Sequence, residues 1–177
     1  MSAFHAELLT AARATVGTVE EGGKNRGHQI DGWNRDVGAA LGSPWCAAWV
    51  YGMHKVAAAS LGIVNECPRT AGALKLWHLA PERARRPIAA PGDVFVLDTG
   101  DPGGFGHVGI VETVAPDGLT ITTIEGNTNE AGSREGNAVA RHERWRPTDG
   151  KRGRLVGYLS LGPEEIGLGA LPESPIV

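Results

Sequence analysis

The spacing of apolar residues changes its period near residue 80, and this constrains the fold more than any other feature of the 177-residue chain. Before that point the spacing is helical. Phe4, Leu8, Ala12 and Val16 recur every four residues, which draws one stripe of an amphipathic helix over about residues 3–16. Ile30, Trp33 and Val37 share a face over 29–37, and Trp49, Val50, Met53 and Val56 recur over 45–60. Thr70 is placed to cap a helix over 71–79 that Pro81 stops. Beyond it, short runs at 93–97, 107–114, 119–124, 138–144 and 155–161 read as strands. Helices first and strands afterwards make an α+β chain, with N-terminal helices packed on an antiparallel sheet of about five or six strands. A single domain over 1–161 accounts for the pattern, followed by a loosely ordered tail over 162–177.

One turn sets a register on paper. Ala115-Pro116-Asp117-Gly118 places proline and aspartate at the centre of a type I turn and glycine where a left-handed residue is needed. Such a three-residue loop pairs Ala115 with Leu119. Counting back along both strands brings Gly109 opposite Glu125 and His107 opposite Asn127, all four on one face. A two-residue Asp-Gly turn would instead send His107 and Glu125 to opposite faces.

The segment Ser43-Pro44-Trp45-Cys46-Ala47-Ala48-Trp49-Val50 sets a thiol just inside the start of a helix. Pro44 suits a first helical turn, and Ser43 is placed to cap it. The positive end of a helix favours the thiolate, which is the nucleophilic form. By position alone Cys46 reads equally well as a nucleophile or as an inert core thiol. A cysteine on a helix, a histidine on a strand and a carboxylate or amide on the next strand are the parts of a thiol hydrolase. The other cysteine, Cys67, reads as a small buried or loop residue if Cys46 is free, with a Cys46–Cys67 disulfide as the alternative. Neither has a second cysteine or histidine at zinc spacing.

Charge excludes some partners. A net charge of −3 and a pI near 6.1 leave no nucleic-acid footprint. Arg83, Arg85 and Arg86 read as a solvated loop. No stretch is long and apolar enough to span a membrane, and the first residues lack the make-up of a secretory signal. The expectation is a chain made in the cytoplasm, monomeric and without membrane insertion.

Four short motifs in order carry a family resemblance. Pro44-Trp45-Cys46-Ala47-Ala48-Trp49-Val50, Pro91-Gly92-Asp93-Val94, Gly106-His107-Val108-Gly109-Ile110-Val111 and Ile124-Glu125-Gly126-Asn127 together resemble the CHAP domains, the cysteine, histidine-dependent amidohydrolases/peptidases. The loop over 20–25, ending at Asn25, is similar to the segment that precedes the family's cysteine helix. The resemblance implies a papain-like fold and the hydrolysis of bacterial cell walls. It implies Cys46 as nucleophile, His107 as general base and acid, Glu125 as the residue that orients the imidazole, and Asn127 as a fourth polar group. Between the last two, Glu125 is favoured because a carboxylate also stabilises the imidazolium.

Trp45, Phe105 and Asn25 are the expected substrate contacts. The implied substrate is peptidoglycan, cut either in its stem peptides or cross-links or at the amide between peptide and sugar. Delivery to the wall would then need a holin or a secretion system. Some members hold calcium through an aspartate-rich loop. Here Asp31, Asn34 and Asp36 lack the glycine-broken cluster of oxygens, so no metal and no cofactor is expected. A thiol amidase for a small molecule, or an inactive binding module on the same fold, are the other readings.

Overall fold

The computed structural model describes residues 1–103, 105–129, 136–145 and 153–163. The expected tail beyond residue 163 lies outside the described residues. Four helices come first: α1 (Ala3–Ala14), α2 (His28–Asp36), α3 (Cys46–Ser60) and α4 (Ala73–Leu79). Six strands follow: β1 (Arg85–Arg86), β2 (Val94–Asp98), β3 (Gly106–Val114), β4 (Thr120–Thr128), β5 (Ala138–Trp145) and β6 (Arg154–Leu159). They form one sheet in the order β1-β6-β2-β3-β4-β5, every neighbouring pair antiparallel. The fold is therefore α+β as expected. Arg85 and Arg86 form an edge strand on β6 rather than a free loop. The edge is short and charged, which discourages pairing with another chain.

Helix α3 is the centre of the helical layer. Trp49, Val50, Met53, His54, Ala57 and Ala58 are all buried on it, so it is apolar nearly all round, as a helix enclosed by others must be. It packs against α1, α2 and the strands β3 and β4. Gly126 permits that approach. A Cβ at this position would lie 2.8 Å from Trp49 Cβ and 2.9 Å from the Trp45 ring. On the helix side of the sheet Val94, Val96, Val108, Ile110, Ile124 and Leu159 join the main core. A second cluster forms around Phe95, Leu97, Val111, Ile121 and Tyr158.

The β3–β4 hairpin differs from expectation at its tip and agrees with it at its base. The type I turn is present, with Gly118 N–H donating to Ala115 O at 2.9 Å and Gly118 at φ 65°. The loop is one residue longer, closed by Ala115 N–H on Thr120 O at 2.8 Å. The reason is Asp117, whose Oδ1 accepts the N–H groups of Leu119 and Thr120 at 2.8 and 3.0 Å and draws Leu119 out of the ladder. That alone would turn every later side chain to the wrong face. A bulge at Glu112 takes the extra residue back: Val114 opposes Ile121 and Thr113 opposes Thr122, but Val111 opposes Thr123 and Ile110 opposes Ile124. Carried onward, this register sets Gly109 against Glu125. The bulged Glu112 carboxylate is held by Arg13 of α1 and Arg141 of β5, both at 2.7 Å.

Candidate active site

Cys46 is the first residue of α3. Its cap is Trp45, whose side chain makes no capping bond, so Ser43 does not cap this helix and Pro44 lies outside it. The N–H groups of a first helical turn have no partner within the helix, and here no side chain at the cap takes one. Cys46 lines a groove of about 360 Å³ together with Pro44, Leu74, Phe105, Gly106 and Asn127. The start of α3 and the start of β3 thus meet at one end of the sheet.

His107, the second residue of β3, is buried beside this groove. By register it shares a face with Leu97, Phe95 and Gly109. Its Nε2 lies 2.7 Å from Glu125 Oε2. An ionised carboxylate only accepts, so Nε2 carries the proton and Nδ1 is the nitrogen left to exchange one. Nδ1 is buried and closes no hydrogen bond, yet the Cys46 sulfur is near enough to act on the ring. Burial opposes charging His107. The Cys46 sulfur and the Glu125 carboxylate outweigh it, and the pKa is pushed up to about 9.

Glu125 is fully buried and would on that account favour its neutral form. Arg144 and His107 reverse this and hold it well below the ordinary carboxylate range. Arg144 Nε and Nη2 each donate to a different Glu125 oxygen at 2.5 Å. Thr123 Oγ1 donates to Oε1, also at 2.5 Å. His107, Glu125 and Arg144 therefore form a hydrogen-bonded chain into the interior, with Cys46 at its groove end. Together they can generate a thiolate, pass a proton to a leaving group and stabilise the cation formed between these steps.

Of the expected catalytic residues, Cys46, His107 and Glu125 come together. Asn127 follows a different course from the one register alone would give it. Pairing of β4 with β5 shifts between Glu125 and Thr128, and Asn127 takes a left-handed φ of 56°. That turn brings it to the groove beside Cys46, and the imidazole nitrogen is held by Glu125.

Two of the three expected substrate contacts are buried. Trp45 has no exposed surface, stacks on Trp33 at 5.6 Å between ring centroids, and donates its indole N–H to Glu20 Oε1 at 3.1 Å. Asn25 is also buried, at φ 56°, with its amide donating to Gly42 O at 3.1 Å. Both serve the loops under the groove. Phe105 is 49% exposed and does line it.

Arg144 was not singled out from sequence. Strand parity would have placed it on the Glu125 face had the β4–β5 register been known. The connection after residue 128 is a long run with glycines at 132 and 136 and no single turn of defined length from which to count.

The remaining candidates are engaged elsewhere. Asp31 pairs with Arg26 at 2.9 Å, Asp36 with Lys55 at 2.6 Å, and Asn34 donates to Ser43 O at 3.2 Å. Both cysteines are free thiols. Cys67 is buried, and burial pushes its thiol pKa strongly upward. Cys67→Ala is expected to keep wild-type turnover within about twofold. Rates measured on that variant beside wild type check this, and a large loss would give Cys67 a role in the reaction.

The family model for the CHAP domain matches residues 38–127 of this chain. No curated protein matches it. Among solved structures, the chain is similar to the crystal structure of Ly7917, at 17% identity and a TM-score of 0.45. It is also similar to the crystal structure of Ly7917 with the hydrolyzing product of MDP, at 18% identity and a TM-score of 0.39. In both cases 89% of this chain is covered, and it spans 62% of the length of the other.

Proposed function

This chain belongs to the CHAP domain family, and from that membership and the geometry around Cys46 we propose that it is a cysteine-dependent hydrolase of peptidoglycan amide bonds. The observation that carries the reading is the orientation of His107. Glu125 accepts the hydrogen bond of its Nε2–H at 2.7 Å, which leaves Nδ1 as the base for the thiol at the start of α3.

The reaction is acyl transfer. His107 Nδ1 accepts the Cys46 proton, and the sulfur adds to an amide carbonyl lying in the groove. The carbonyl oxygen becomes an oxyanion, and the uncapped N–H groups at the start of α3 are suited to receive it. The C–N bond then breaks as the imidazolium returns its proton to the leaving amine. Water, deprotonated by the neutral imidazole, hydrolyses the thioester and releases the acid and the free thiol. Exposed Phe105 on the groove wall is an apolar surface for the substrate. No step calls for a metal. Delivery to the wall from the cytoplasm, by a holin or a secretion system, belongs to the same proposal, as does action as a monomer.

Digestion of purified peptidoglycan followed by mass analysis tests the reading. New free amines within stem peptides or cross-links mark an endopeptidase, and release of intact stems from the sugar marks an amidase. The expected digestion proceeds unchanged in chelator and stops after thiol alkylation. Intact wall polymer after incubation with thiol-reduced protein would overturn the substrate assignment. Activity lost in chelator and restored by calcium would overturn the metal-free mechanism.

A further inference from the structure

The buried carboxylate of Glu125 is gripped by more groups than contact with one imidazole requires. Oε1 accepts from Arg144 Nε and Thr123 Oγ1, and Oε2 accepts from Arg144 Nη2 and His107 Nε2. The guanidinium is itself buried, at 5% exposure, and lies over the Phe95 ring at 5.3 Å from its centroid. The same ring lies against His107 at 6.0 Å between centroids. Arg144 also falls outside the matched segment 38–127.

We propose that Arg144 is a positioning residue of this site, which locks the plane of the Glu125 carboxylate against His107 and supplies the counter-charge that keeps it ionised. The inference rests on the reading of Cys46 and His107 as the reacting pair.

Two physical reasons support it. The last torsion of a glutamate side chain is soft, so a single bond to an imidazole leaves the carboxylate free to swing. A planar guanidinium fork that holds both oxygens removes that freedom, and an ammonium cannot. In addition, a buried carboxylate with too little positive charge around it takes up a proton. A neutral Glu125 would no longer support the imidazolium. Among the described residues, the groups that act on His107 and Glu125 are these two themselves, Arg144 from β5 and, across the imidazole, the Cys46 sulfur from α3; His142 of β5, opposite Thr123, is a further titratable group on the same face. Phe95 from β2 and Thr123 from β4 add none. Removing Arg144 takes away a cation that holds both Glu125 oxygens.

The test uses R144Q, R144K, E125Q and the double variant E125Q/R144Q in the full chain. Turnover of peptidoglycan is one readout. The ring ¹⁵N signals of His107 near neutral pH are the other, and they need no substrate. R144Q is expected to lower kcat about a hundredfold with KM within about twofold, and R144K to recover about tenfold of it. The double variant should be no slower than E125Q beyond about threefold, because the effect assigned to Arg144 passes through Glu125. In R144Q the ring signals should move from the imidazolium toward the neutral pattern.

Should R144Q fail to fold, R144K and the double variant, which removes charge and counter-charge together, make the same comparison. Wild-type kcat with unmoved ring signals, or losses that multiply in the double variant, would overturn the assignment. If the wild-type chain cleaves no wall polymer, the substrate reading fails on its own, and the ring signals still decide for or against Arg144.

Discussion

Replacing Cys46 with alanine is expected to lower turnover by at least about a thousandfold while leaving the fold in place. In the proposed mechanism the sulfur is the atom that bonds to the substrate carbonyl, and alanine offers nothing in its place. Cys46→Ser should be nearly as inactive, since a hydroxyl at that distance from the imidazole is a far weaker nucleophile than a thiol. Stability should change by no more than about 1–2 kcal/mol, because the change removes one small group and leaves only the buried His107 Nδ1 without the sulfur that acts on it. Initial rates on peptidoglycan, with thermal melts of both variants, measure the two halves of this expectation. Hydrolysis by the alanine variant at anything near the wild-type rate would remove the thiol mechanism altogether.

Gly109→Ala should be the most damaging change that touches no reacting atom. A Cβ there would lie 2.6 Å from Glu125 Cγ, 2.7 Å from Phe95 Cε1 and 2.9 Å from Ile124 O. The ring and the backbone oxygen are held by the sheet, so the Glu125 side chain is the part that gives. Moving it breaks the 2.7 Å bond to His107 and disturbs the fork with Arg144. We expect kcat to fall about a hundredfold and stability to fall by about 1–3 kcal/mol, the usual cost of overpacking. Gly32→Ala is the control, since no atom lies within 4 Å of a Cβ built there, and its kcat should match wild type. A fully active Gly109→Ala chain would mean that Glu125 need not stay where it lies.

Much of the site could be read before the fold was known, and the reasons are local. Proline and glycine in the 115–118 turn dictate a tight hairpin, and hairpins pair nearby residues. Cys46 stands at a helix start because good helix formers follow it directly. The β3–β4 register shows the limit of such reading. The expected pairing of Ala115 with Leu119 was wrong at the tip, and His107 still faces Glu125. The Asp117 side chain lengthened the loop by one residue and the Glu112 bulge took that residue up. That bulge is held from two sides, by Arg13 of α1 and Arg141 of β5, so no window of sequence around the hairpin contains its cause.

Burial was less legible than chemistry. Trp45 and Asn25 stood in motifs beside the nucleophile and looked available to a substrate, yet both are enclosed. A residue's neighbours in sequence say little about which side of a loop faces water. Arg144 shows the same limit from the other side. Nothing in the run Arg141-His142-Glu143-Arg144 marks one arginine for the interior, and only the pairing of β5 with β4 turns Arg144 inward onto Glu125.

By itself, then, the sequence determined most of the elements and their order, and which thiol, imidazole and carboxylate come together, because periodicity, turn chemistry and residue type act over a few positions. The tertiary structure alone decided the burial of Trp45 and Asn25, the course of Asn127 and the guanidinium behind the carboxylate. Those depend on strands and helices far apart in the chain competing for one interior, where a single bulge or a single missing Cβ settles what can touch.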